Sequence, residues 1–297
     1  MLDGVELFLQ VLAEEKGYAS NTIVAYRNDL TQFHDFVADT CHRSAWREVT
    51  EEDLASYLDW LRMDLEYATA TVARKVAAVK SFFHHLASLG ALPGDPTKEM
   101  DSPRVRKYTP VSLSESEVEQ LLRAPLQSNG ARSLRDAALL ELLYATGMRV
   151  SEIVNLDLDQ IDLEHGSVHC VARNRHKDRV LPFYRRTAEA VYGYLTKGRP
   201  SLVRDNEEPA LFLNHRGQRL TRQGLWLIIK RYVKQTGIKT TVTPHTLRHS
   251  FARHMLNGGA DVHKVQGLLG HANVSTTQVY TQSQVREAYE EAHPRAT

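Results

Sequence analysis

Five side chains in the C-terminal half of this 297-residue chain stand in an order and spacing that suit one kind of chemistry. They are Arg149 in Ala145-Thr-Gly-Met-Arg-Val-Ser-Glu152, His245 and Arg248 in Pro244-His-Thr-Leu-Arg-His249, His271 directly after Gly270, and Tyr280. Two guanidiniums, two imidazoles and a phenol can clamp a phosphodiester and attack it without a metal ion. Arginine suits the clamp because its planar fork stays charged and meets two phosphate oxygens at once. A phenol with a reference pKa of about 10 is a poor nucleophile until cations or a base stabilise its phenolate. The neighbouring histidines and arginines can provide that help. Taken singly each match is weak, because a His-x-x-Arg spacing arises by chance in a chain with 14 histidines.

The elements that must hold these groups are readable from periodicity and punctuation. A helix is expected over Pro244–Leu256, closed by Gly258-Gly259. On it His245 and Arg248, three apart, share a face in the first turn, where unpaired amides and the helix dipole favour an anion. A second helix over Asp261–Leu269 closes at Gly270 and leaves His271 at its end. Ser133–Ala145 is apolar almost all round, as a buried helix should be, with Gly147 as its cap. Short β-rich runs at 161–163, 167–171 and 179–183, with turns at 164–166 and around Asn174, predict a small three-stranded sheet. Helical signals return over Arg222–Gln235 and near Tyr280. This half is therefore expected to be mainly α with one small antiparallel sheet.

The first half reads as a separate helical bundle. Ile23, Tyr26, Leu30, Phe33 and Val37 follow helical spacing behind Ser20 as candidate N-cap, and Val72, Val76, Val79, Phe83 and Leu86 repeat the pattern. Off that second stripe lie Arg74, Lys75, Lys80, His84 and His85, which read either as a grip on DNA backbone or as a solvated face. A stretch rich in Pro, Gly and charge from Leu92 to Pro110 marks the boundary. The expected organisation is a helical domain over 1–92, a linker over 93–110 and a catalytic domain over 111–297, with a tail from 281.

Composition sets the outer limits. With 42% apolar and 25% charged residues the chain can build ordinary cores, and its length suits two domains. No apolar run approaches the ~20 residues of a membrane helix, the start lacks a signal peptide's basic region, and Cys41 and Cys170 show no disulfide or metal-ligand pattern. A cytoplasmic protein without a metal or cofactor is expected. The formal net charge of +1 hides a strong asymmetry. Residues 165–260 carry 18 Lys/Arg against 5 Asp/Glu, a local +13, which leaves 19 against 31, or −12, for the rest. Between Pro209 and Ala260 stand Arg216, Arg219, Arg222, Lys230, Arg231, Lys234, Lys239, Arg248 and Arg253 with no carboxylate among them. Such a run favours a polyanion-binding surface over a solvated face of alternating sign.

Together, Ala-Thr-Gly-Met-Arg-Val-Ser-Glu152, Pro244-His-Thr-Leu-Arg-His-Ser-Phe-Ala, Leu268-Leu-Gly-His271 and Val274-Ser-Thr-Thr-Gln-Val-Tyr280-Thr resemble the tyrosine recombinase (phage integrase) family, its Xer type in particular. The resemblance extends to Ser20-Asn-Thr-Ile-Val-Ala-Tyr-Arg-Asn-Asp-Leu30 and to His293-Pro-Arg295, and so spans nearly the whole chain. It implies a SAM-like core-binding domain and an α+β catalytic domain closing on duplex DNA as a C-shaped clamp. It also implies that Arg149 and Arg248 hold the scissile phosphate, His271 donates to it, His245 assists as base and Tyr280 attacks. The product is then a 3′-phosphotyrosyl link with a free 5′-hydroxyl, which conserves bond energy and needs neither ATP nor metal.

One turn departs from the family's pattern. Relatives carry a general-acid lysine between the second and third strands, where this chain reads Ala172-Arg-Asn-Arg-His-Lys-Asp-Arg179. Arg173 or Arg175 falls at the acid's place, and an arginine is a poor proton donor. Two readings stand: Lys177 reaches in through a rearranged turn as the acid, or it touches backbone phosphate only. Arg173, Arg175, Arg222 and Lys230 join the candidate DNA contacts. The resemblance further implies a target with two inverted arms, four protomers on two duplexes as a homo- or heterotetramer with a second Xer-type partner, and a tail after Tyr280 that docks into a neighbour or caps its own domain. Three functions follow: chromosome-dimer resolution at cell division, integration of a mobile element, or DNA binding without cleavage.

Overall fold

Helical periodicity in the N-terminal part resolves into four α-helices in the computed structural model, which describes residues 1–103, 111–171 and 178–270. They are α1 (Leu2–Glu14), α2 (Ser20–Asp39), α3 (Glu51–Asp59) and α4 (Thr69–Ser88). Ser20 is the first helical residue of α2 and Ala19, in extended conformation, is its cap. The stripes expected on α2 and α4 meet in an aromatic core in which Phe33 stacks on Trp46 and meets Tyr57 and Phe83 edge-on. Edge-on pairs of this kind add to the transfer energy of buried rings.

Two expectations change in this unit, which spans Met1–Tyr108. Lys75 does not lie on an exposed face: it is buried, and its ammonium sits 2.9 Å from the carboxylate of Asp29, itself 1% exposed. Arg74 pairs with the other oxygen of Asp29. A carboxylate this deep is tolerated only when cations and hydrogen bonds surround it, which fixes Lys75 on the α2–α4 interface. The expected linker also begins as folded structure. Met100 is part of the core, and its carbonyl accepts a 2.7 Å hydrogen bond from Lys80 Nζ.

The second unit, Thr109–Thr297, is built around α6 (Ala131–Thr146), in which every residue from Arg135 to Thr146 is buried. A helix enclosed on all sides must pair its polar groups internally. Asp136 accordingly takes Arg135, Arg231 and the Tyr232 hydroxyl, and Glu141 takes the Tyr184 hydroxyl at 3.0 Å. Around it lie α5 (Glu115–Arg123), α7 (Val150–Val154), α8 (Arg185–Gly193), α9 (Arg222–Thr236), α10 (Pro244–Asn257) and α11 (Val262–Leu269). The sheet is antiparallel, in the order β1 (Ile161–Asp162), β2 (Ser167–Cys170), β3 (Arg179–Pro182). Its register sets Val168 opposite Leu181 and Cys170 opposite Arg179. Val168 and Leu181 face the core, so the sheet's inner side seals that face of the unit.

Candidate active site

α6 ends at Gly147, whose φ of +58° is left-handed, and the turned chain presents Arg149 as the N-cap of α7. Three residues on, Glu152 reaches back: its Oε2 accepts the Arg149 backbone amide at 2.7 Å and its Oε1 accepts Arg149 Nη1 at 3.0 Å. This reach-back by Glu152, with Arg149 donating from both its amide and its guanidinium, fixes the base of the Arg149 side chain. From the first residue of β3, Arg179 meets the same carboxylate with both Nη groups, at 3.1 and 2.9 Å.

The arginines also meet at one helix end. The last carbonyls of α11 and its cap each accept from a different guanidinium: Leu268 from Arg179 Nε at 2.9 Å, Leu269 from Arg248 Nη2, and Gly270 from Arg149 Nη2 at 2.6 Å. The other Nη of Arg248 donates to the Gly147 carbonyl at 2.6 Å. Unpaired carbonyls at a helix C-terminus carry partial negative charge, so cations belong there. Arg149 and Arg248 are thus held on adjacent carbonyls immediately before His271. Each guanidinium has five N–H donors, and these hydrogen bonds, among the described residues, engage two of each.

Charge at this centre is not balanced. Three guanidiniums face one carboxylate, a formal excess of two positive charges that a phosphodiester complements. Burial pushes the Glu152 carboxyl up, but hydrogen bonds and charge from Arg179, then Arg149, prevail and hold it at about 2. Burial first, and then the charge of Arg149, bring Arg248 down to about 10, so it stays charged at neutral pH. Burial likewise raises the thiol of Cys170, across the strands from Arg179, to about 11.

His245 and Arg248 do share the start of α10, but they diverge. His245 is exposed beside His249, whose imidazole is pushed down by burial and then by His245 and Arg248, whereas Arg248 is buried and turns inward. The first-turn amides of α10 are not all open to an anion, because Thr243 Oγ1 accepts the Thr246 amide at 3.2 Å. Arg222 and Lys230 are exposed on α9, and Lys230 Nζ lies 4.9 Å above the Trp226 ring. Arg173, Arg175, Lys177, His271 and Tyr280 lie outside the described residues. Glu152 and Arg179 stand inside sequence motifs that by themselves assign neither a role. The spacing Arg149-x-x-Glu152 was the available signal, since a glutamate at the third helical position is a capping partner. Among the described residues no group of His, Cys, Asp and Glu could hold a metal, and no helix is long and apolar enough to cross a membrane.

Known proteins resemble the chain over nearly its whole length. Residues 112–287 match the phage integrase family, and residues 5–90 match the phage integrase N-terminal SAM-like domain. The chain is 52% identical over 283 residues to the tyrosine recombinase XerC of Roseiflexus sp. strain RS-1, covering 95% of this chain and 89% of that protein. It is 41% identical over 297 residues to the tyrosine recombinase XerD of Halalkalibacterium halodurans, covering 99% and 98%. In fold it is similar to the XerH site-specific recombinase in a post-cleavage complex with a palindromic difH substrate, with a TM-score of 0.71 and 21% identity over 96% of this chain and 84% of that one.

Proposed function

Since the chain belongs to the phage integrase family of tyrosine recombinases, enzymes that cut and rejoin DNA at specific sites, we propose that its clamp of Arg149 and Arg248 grips the scissile phosphate while Tyr280 attacks it. The observation that supports this most is the meeting of both guanidiniums on the carbonyls of Leu269 and Gly270, one residue short of His271. The Tyr280 oxygen forms a bond to phosphorus, the bond to the 5′-oxygen breaks, and a 3′-phosphotyrosyl link remains. His245 takes the phenol proton, His271 donates to a phosphoryl oxygen, and Lys177 protonates the departing 5′-oxygen. Charge developing on the phosphorane is met by donors already in place, the arrangement that contributes most in such reactions. The link keeps the bond energy, and a 5′-hydroxyl from a second duplex reverses the step without ATP.

The same reading takes the target as duplex DNA with inverted arms, joined two at a time by four protomers that pass through a Holliday junction. Resolution of chromosome dimers at cell division, in the cytoplasm, is the role that fits an Xer-type chain, with further copies of itself or a second Xer-type recombinase as tetramer mates. Helical unit 1–92 and catalytic unit 111–297 would each contact the duplex. A nicked suicide duplex tests the chemistry: a covalent adduct is expected with the unmutated protein and is lost in Tyr280→Phe, while no adduct from unmutated protein overturns the assignment. Selection from random-sequence DNA tests the target, which should return two inverted arms around a central spacer.

A further inference from the structure

We propose that Arg179 is a positioning residue of the phosphate clamp, one that fastens Glu152, and through it the Arg149 fork, to the C-terminal end of α11. The inference rests on the recombinase reading above. One guanidinium here spans three elements: both Nη groups bind the Glu152 carboxylate of α7, at 3.1 and 2.9 Å, Nε binds the Leu268 carbonyl of α11 at 2.9 Å, and the residue itself opens β3. Its side chain is 11% exposed, as is that of Glu152, so the fork acts by holding its neighbours and not by touching DNA.

The division of charge gives this contact a consequence for catalysis. Glu152 makes a two-pronged pair with Arg179 and a single side-chain contact with Arg149. A bidentate pair satisfies most of a carboxylate's demand for positive charge. Arg149, 25% exposed, therefore keeps surplus charge for a phosphate, while Glu152 still orients it. Without Arg179 the carboxylate would turn fully onto Arg149 and compete with the phosphate for it. A second feature is built to the same fork. Gly270 has φ of +62°, and a Cβ there would fall 3.0 Å from Arg179 Nη1, so the chain is bare where the guanidinium passes. Lysine cannot replace this arrangement, because a point charge lacks the fork that meets a carboxylate and a carbonyl together. Arg179 also stands two residues after Lys177 in sequence, so it anchors the strand onto which the lysine turn joins.

The test uses the full chain and a nicked suicide duplex, comparing unmutated protein with Arg179→Gln, Arg179→Lys, Glu152→Gln and the double variant Arg179→Gln/Glu152→Gln. Displacement of a clamp by an ångström costs on the order of a hundredfold in rate. Arg179→Gln and Arg179→Lys should therefore form adduct about a hundredfold more slowly at saturating DNA, with affinity for the duplex within about threefold of the unmutated value. In the Glu152→Gln background the Arg179→Gln loss should shrink to about fivefold or less, because coupled residues do not add independently. A scaffold residue with no positioning role would instead lose rate in proportion to unfolded protein and regain it on cooling. Arg179→Lys guards against failure of the glutamine variant to fold. A folded Arg179→Lys that forms adduct at the unmutated rate overturns the proposal, as do losses that multiply in the double variant. Absence of adduct from the unmutated protein is a different result, and it rejects the recombinase reading itself.

Discussion

The ring of Phe251 on α10 closes against Gly147 so tightly that a methyl group on the glycine would fall 2.4 Å from Cδ1. The glycine is therefore required twice, once for its left-handed φ of +58° and once for the aromatic ring above it. Its carbonyl accepts Arg248, so the same close approach sets one side of the clamp. Gly147→Ala should destabilise the protein by at least about 2 kcal/mol, through backbone strain and overpacking together. A denaturant midpoint unchanged from the parent would show that the ring moves aside freely and would remove this argument.

Glu152 predicts a pH dependence. Its carboxyl titrates at about 2 in the folded chain, against an ordinary 4.5. A depressed folded pKa adds stability that is fully present above the unfolded value and lost as pH falls through the folded one. The window thus runs from about 4.5 down to about 2. Its size is roughly 3 kcal/mol by linkage. Glu152→Gln should lower stability at pH 7 by a similar amount, because Arg179 is left in a nearly enclosed site without its counter-charge. The variant's stability should also fall less steeply between pH 4.5 and 2 than that of the parent. Parallel curves from calorimetry over that range would show that the carboxylate adds nothing through ionisation.

What the sequence disclosed depended on whether the signal was local. Gly147 and Gly270 mark the ends of α6 and α11, and Asp261 caps α11 with its own carboxylate, so these boundaries could be read from a few neighbouring residues. The three short strands also showed, each a residue longer than observed. α3 and α5 went unread although Thr50 with Asp53 and Ser114 with Glu117 form capping boxes, because nine-residue helices offer too few turns for a periodic stripe to stand out. Arg149 and Arg248 were legible as reactive types at telling positions. The Arg179 contacts were not, since their partners lie 27 and 89 residues away and only packing brings them together. The same limit applies to the basic run after Pro209. Arg219 and Arg231 pair with Asp157 and Asp136, carboxylates far upstream that a local charge count cannot see.

Lys75 separates structural from ligand-binding cations in the helical unit. Its ammonium bonds to Asp29 at 2.9 Å, and both side chains are nearly sealed from solvent. Lys75→Met should cost about 3 kcal/mol, because Asp29 is left with one cation in place of two. Replacing both, as Lys75→Met with Asp29→Leu, should recover much of that loss, since an apolar pair of similar volume carries no desolvation cost. Thermal unfolding of the two variants decides it. A single variant as stable as the parent would mean that Arg74 alone satisfies the buried carboxylate.

The exposed face of α9 should behave in the opposite way. Arg222, Trp226 and Lys230 follow one another at four-residue spacing, with Lys230 held over the indole, and Lys234 continues the basic side of a helix without a carboxylate. Cations placed this way interact with phosphates through released counterions, so each one lost should flatten the dependence of affinity on salt by about one unit of slope. Lys230→Gln and Lys234→Gln are expected to weaken duplex binding at low salt and to leave the unfolding temperature unchanged. Arg231→Gln, which strips the buried Asp136 of one of its partners, should do the reverse. Titration of a labelled duplex at several salt concentrations distinguishes the two classes, and identical slopes for parent and Lys230→Gln would place the DNA elsewhere.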